Sequence, residues 1–111
     1  MRRVTKITEL LASAKRTAET YYSSTVNVGR YHEAEVFVDV TAETATATLD
    51  VTIQTSPDGT TWFTHTSFDQ ITATGQSVKR ISIIGHYLRV KYVVAGEGAD
   101  FTFSSDIVAK S

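Results

Sequence analysis

Three segments of this chain alternate apolar and polar residues with a period of two, and such alternation commits a segment to a half-buried strand. In residues 34–41, Ala34, Val36, Val38 and Val40 share one face, while Glu35, Phe37 and Asp39 share the other. In residues 48–55, Leu49, Val51 and Ile53 oppose Asp50, Thr52 and Gln54. In residues 87–94, Leu88, Val90, Tyr92 and Val94 oppose Arg89 and Lys91. A strand with one polar face belongs to an antiparallel sheet solvated on one side, not to a parallel sheet covered on both.

The composition agrees. Threonine, valine and isoleucine make up a third of the 111 residues. Their branched Cβ stiffens χ1 and suits a pleated surface better than a helix. Further strands are expected at residues 60–68, 76–84 and 100–109, the last with Phe101, Phe103 and Ile107 on one parity. A bulge or burial on both sides would explain why Ile81, Ile83 and Ile84 break alternation. Residues 41–46 have no apolar face and read as a loop, and residues 71–75 form a short segment ending in Gly75. Ser56-Pro57-Asp58-Gly59 is a hairpin turn, since proline presets one turn dihedral and Asp-Gly favours positive φ. Ala95-Gly96-Glu97-Gly98 is a second turn. Six or seven short strands joined this way predict an all-β fold, an antiparallel, jelly-roll-like β-sandwich. Residues 1–20 are expected to be an N-terminal arm or edge segment, and residues 21–111 the sandwich domain.

The N-terminal segment is readable in two ways. Val4, Ile7, Leu10, Leu11 and Ala14 have helical spacing, and propensity supports a helix over residues 5–18. An extended arm with an edge strand also fits, placing Leu11 and Ser13 opposite Leu10, Ala12 and Ala14. Charge sets this segment apart. Residues 1–30 carry six basic and two acidic side chains, whereas residues 31–111 carry five basic and ten acidic. A basic N-terminal segment suits an acidic neighbour.

The chemistry is sparse. There is no cysteine, which excludes disulfides, thiolate metal sites and cysteine nucleophiles. The net charge of −1 argues against nucleic acid as a partner. No apolar run approaches the roughly 20 residues of a membrane helix, and no secretory core follows Arg2 and Arg3. His32, His65 and His86 stand at no metal-ligand spacing. His65 is expected on an exposed strand face and His86 in a turn. No GxSxG elbow or phosphate-binding glycine loop occurs. Neither an enzyme nor a cofactor or metal protein is expected.

Among the aromatics, Tyr21, Tyr22, Tyr31, Phe37, Trp62, Phe63 and Tyr87 are candidates for a sugar or base platform. Phe37 falls on the polar parity of its strand, so it either marks a subunit contact or packs under the N-terminal segment. Trp62 reads as a buried plug after the hairpin turn. The run from Ser56 to Trp62 is similar to the aspartate-box hairpin of sialidase-type propellers, but is one residue short and occurs once.

Several segments together resemble one family. They are Leu10-Leu11-Ala12-Ser13-Ala14-Lys15-Arg16-Thr17-Ala18, Val36-Phe37-Val38-Asp39-Val40-Thr41-Ala42, and Leu49-Asp50-Val51-Thr52-Ile53-Gln54 with its turn. Ile71-Thr72-Ala73-Thr74-Gly75, Tyr87-Leu88-Arg89-Val90-Lys91-Tyr92 and Phe101-Thr102-Phe103-Ser104 follow in order. The set resembles the small head-decoration-like virion structural proteins of tailed bacteriophages, over residues 9–108. The resemblance implies a non-enzymatic sandwich, assembled in the host cytoplasm and carried in the virion. It would bind the major capsid protein lattice or other virion proteins as a homo-oligomer, without nucleic acid or membrane. Arg2, Arg3, Lys6, Tyr21, Tyr22 and Phe37 are the expected partner contacts. The alternatives are a tail or head–tail neck subunit and a carbohydrate-binding module using Trp62 and the tyrosines.

Overall fold

The computed structural model describes residues 5–44, 46–82 and 84–111. In chain order the strands are β1 (Thr5–Thr17), β2 (Thr20–Tyr22), β3 (Val26–Asn27), β4 (Glu33–Glu43), β5 (Thr48–Ser56), β6 (Phe63–Ser67), β7 (Gly75–Ser82), β8 (Tyr87–Ala95) and β9 (Asp100–Lys110). They form two antiparallel sheets, and the fold is the expected β-sandwich. Sheet A runs β1-β9-β4-β7 and sheet B runs β2-β8-β5-β6, with β3 also paired to β8. Among the described strands only β5 and β6 form a hairpin of sheet neighbours; β2 and β3 both lie along β8, and every other connection steps from one sheet to the other.

The inward parities are those the alternation predicts. Val36, Val38, Leu49, Val51, Ile53, Leu88, Val90, Phe101, Phe103 and Ile107 are all buried between the sheets. Fully burying one such side chain contributes about 1.5–3 kcal/mol. Ser105 shares this inner parity and remains satisfied, because its hydroxyl donates to the Phe37 carbonyl at 2.7 Å.

The helical reading of residues 5–18 is overturned. That segment is strand β1, aligned with β9 from Thr5↔Lys110 to Thr17↔Asp100 with register shifts between Glu9 and Ala14. The shifts bring Leu10 into the core although Leu11 is half-buried. An isolated helix of this length is marginal in water, whereas β9 offers a complete row of backbone partners. Phe37 does not pack under β1, because β9 lies between β1 and β4.

Boundaries moved where side chains hold a loop. Ser56 Oγ accepts the N–H groups of Asp58 at 3.2 Å and Gly59 at 2.8 Å, and donates to Asp58 Oδ1 at 3.0 Å. Asp58 Oδ1 also accepts the N–H groups of Thr60 and Thr61, both at 2.9 Å. This cluster, with Gly59 at φ 84°, keeps residues 57–62 out of the ladder, so β6 starts at Phe63 rather than at residue 60. Strand β4 continues to Glu43 through a segment expected to be loop. Ile71 makes one isolated bridge, to Leu49. The turn after β8 needs Gly96: its φ is 119°, and a Cβ there would sit 2.6 Å from the Thr46 carbonyl oxygen.

Candidate functional site

The sandwich presents two outer faces and the open edges of its sheets. On sheet A, backbone register places four residues in one row across four strands: Glu9 opposite Asp106, Asp106 opposite Phe37, and Phe37 opposite Val78. Cross-strand partners share a face. Phe37 is 36% exposed and Val78 54%. With Asp39 and Gln76 they line a shallow groove of about 320 Å³. The next row carries Ile7, 75% exposed, beside Val108, Glu35 and Arg80. Glu35 accepts from Arg80 Nη2 at 3.2 Å and lies 3.5 Å from Lys110 Nζ. The hydrogen bond from Arg80, reinforced by both positive charges, holds the Glu35 carboxyl below its usual range.

On sheet B the outer face is aromatic and basic. The Arg89 guanidinium carbon lies 4.4 Å from the Tyr22 ring centroid and 4.5 Å from that of Trp62. Arg89 Nε donates to Gln54 Oε1 at 2.8 Å. Three elements converge here: β2 supplies Tyr22, β8 supplies Arg89, and the β5–β6 loop supplies Trp62. Trp62 is therefore not the expected buried plug. The Ser56–Asp58 cluster carries it over the outer face, where it is half-buried on Arg89.

The expected contact residues do not form one patch. Arg2 and Arg3 lie outside the described residues. Lys6 is exposed on the edge strand β1, opposite Ala109. Tyr21 pairs with the buried Tyr92, packs against the core and donates its hydroxyl to the Thr17 carbonyl at 2.9 Å. Tyr22, its neighbour, points the other way and is 47% exposed. Phe37 and Tyr22 thus occupy opposite faces of the sandwich. Ile7, Val78, Glu9, Asp106 and Arg89 complete these surfaces. Their outward parity on β8, or their place in register on sheet A, follows only once the strands and their partners are known.

Among the described residues, no group of three or more histidine, cysteine, aspartate or glutamate side chains is placed to hold a metal ion. His65 is half-buried rather than on an open face, and its Nε2 lies 2.9 Å from the Ser82 carbonyl oxygen, tying β6 to β7 across the sandwich. His86 lies in the turn before β8 and stacks edge-on against Tyr87 at 4.6 Å. No described helix is long and apolar enough to cross a membrane.

No protein-family model matches the chain, and no curated protein matches it. Solved structures do. The PBSX exported protein XepA aligns with a TM-score of 0.70 and 16% identity over 96% of this chain and 36% of that one. The SPBc2 prophage-derived protein YomS aligns at 0.62 and 11% identity, over 100% of this chain and 96% of that one. The infectious bursal disease virus VP2 subviral particle aligns at 0.70 and 12% identity, over 98% of this chain and 32% of that one. This chain therefore spans about a third of the XepA and VP2 chains and nearly all of YomS. At these identities the likeness is one of fold: this sandwich is an architecture shared with proteins of prophages and of a virus.

Proposed function

We propose that this chain is a non-enzymatic structural protein of a tailed-phage virion, and specifically a decoration protein seated on the major capsid protein lattice. The observation that carries the reading is β1. It is a 13-residue edge strand with β9 on one side and, among the described residues, no strand on the other, presenting exposed Lys6 and Ile7. An open edge can accept a strand from a neighbouring protein, and side chains along it set specificity. Arg2 and Arg3 precede it in sequence and add positive charge suited to an acidic partner. The interleaved strand order is that of a jelly roll, an architecture recurrent in viral capsid domains, and the fold likeness to prophage and viral proteins supports the same reading. Copies repeated on a lattice add their modest contacts through multivalency.

The test is co-sedimentation of the purified protein with particles that lack it. Deleting residues 1–20 would strip β1 from β9, so point variants serve better. Lys6→Glu combined with Ile7→Ser should reduce binding to heads while leaving the melting temperature within a few degrees. Unchanged binding removes the β1 contact. Binding to tails or necks and not to heads, with cyclic oligomers by mass photometry, supports the neck-subunit alternative.

A further inference from the structure

The two outer faces are complementary to each other. On sheet A, Glu9 and Asp106 stand directly opposite, an arrangement that destabilises a sheet through like-charge repulsion. Among the described residues, no ion pair involves Glu9, Asp106 or Asp39. Beside this acidic pair lie the exposed apolar groups Phe37 and Val78. On sheet B, the Arg89 guanidinium lies within 4.5 Å of both the Tyr22 and the Trp62 ring centroids, with one N–H committed to Gln54. Its terminal amino groups donate to no described side chain or carbonyl. A guanidinium carries five donors in a rigid fork that fits a carboxylate edge-on, and contacts with two rings and Gln54 restrain where that fork can point.

We propose that Arg89 is a carboxylate-receiving site and that its occupant is the Glu9–Asp106 pair of a second copy of this chain. In that contact the Asp106 carboxylate meets the guanidinium edge, and Phe37 packs on the Tyr22 and Trp62 rings beside it. The positive charge relieves the repulsion that each copy otherwise carries on sheet A. The two surfaces lie on opposite sides of the sandwich, so the contact is heterologous and each copy still offers one free face. Copies therefore add head to tail, in a ring or an open row. The row of residues that carries the contact is roughly 20 Å long at about 4.8 Å per strand and about 7 Å wide, a small fraction of the roughly 800 Å² per partner of a standard interface. The contact is correspondingly weak between isolated pairs and strengthens in an array. It holds wherever the chain is used, because it involves no other protein.

Sedimentation velocity of the purified full chain over a concentration series, at low and high salt, tests this. The wild-type chain should show reversible association beyond dimers that weakens as salt rises. Arg89→Glu and Asp106→Lys should each weaken it by about tenfold or more. An equimolar mixture of the two single variants should associate more than either alone, in alternating order, because each face of one variant meets an opposite charge on the facing surface of the other. The double variant should recover part of the association lost in either single variant, since the charges are exchanged but the guanidinium fork and its ring contacts are gone. Asp106→Asn separates contact from folding: it should weaken association while raising thermal stability, since the repulsion with Glu9 is gone. A chain that stays monomeric throughout overturns the proposal, as does association that ignores both single substitutions in variants that remain folded. Loss of binding to particles with this self-association intact would overturn the capsid reading and leave this contact standing.

Discussion

The Tyr92 ring of sheet B and the Phe103 ring of sheet A meet across the sandwich at 5.3 Å between centroids, tilted by 41°. Both rings are fully buried, yet the Tyr92 hydroxyl has no partner among the described residues. Ser105 is nearby but donates its own hydroxyl to the Phe37 carbonyl. Burial pushes the Tyr92 phenol well above its usual range, so it stays neutral. Tyr92→Phe keeps the ring contact and removes an unpaired polar atom. It should be neutral or stabilising by about 1 kcal/mol in chemical denaturation. Tyr92→Ala should cost about 3–5 kcal/mol. A clear loss in the phenylalanine variant would show that the hydroxyl has a partner.

Asp58 makes the hairpin loop sensitive to acid. Hydrogen bonds from the Thr61 and Thr60 amides and the Ser56 hydroxyl hold its carboxyl well below the ordinary 3.8. The folded carboxyl is therefore the stronger acid, and the unfolded chain takes up the proton first as pH falls. The stabilisation is complete above the ordinary value and is lost as pH drops through the folded one. An NMR acid titration should show the Asp58 carboxyl and the Thr60 and Thr61 amides titrating together below the ordinary value. Asp58→Asn should remove that response, because an amide still accepts through Oδ1 but does not ionise.

Gly96 is required by both conformation and space. Its positive φ strains any side chain, and a Cβ would meet the Thr46 carbonyl at 2.6 Å. Gly96→Ala should destabilise by about 1–3 kcal/mol. Gly98→Ala is the control. At φ 64° it lies in the left-handed region, a milder strain than φ 119°, and a Cβ there meets nothing within 4 Å, so it should cost less on both counts. Equal losses would mean that the contact with Thr46 is relieved by a small backbone shift.

Trp62 is the chain's single tryptophan, so intrinsic fluorescence reports on its stack with Arg89. Arg89→Ala should shift the emission to longer wavelength as the ring gains water, with the far-ultraviolet circular dichroism unchanged. The stability loss should be about 1 kcal/mol, the scale of cation–π contacts at a partly exposed site. An unshifted emission would place the tryptophan in a core environment after all.

For β4, β5, β8 and β9 the local sequence by itself determined that the segments are strands and which side chains point inward. In β4, β5, β8 and β9 the period of two is a property of each strand alone, so Val36, Ile53, Val90 and Phe103 could be assigned to the core with no knowledge of their partners. The Pro57-Asp58-Gly59 turn was legible for the same reason, although the extent of its loop depended on how Ser56 and Asp58 spend their hydrogen bonds. Only the tertiary structure decided the rest. β1 has helical spacing and good helix formers, but ten of its residues gain partners along β9, and non-local pairing outweighs a small propensity difference. Register is likewise a relation between strands. Nothing local to Glu9, Phe37 or Val78 says that they share a row with Asp106, or that Trp62, Arg89 and Tyr22 stack. The surfaces proposed for assembly arise from those relations, because each side chain's neighbours come from strands distant in the chain.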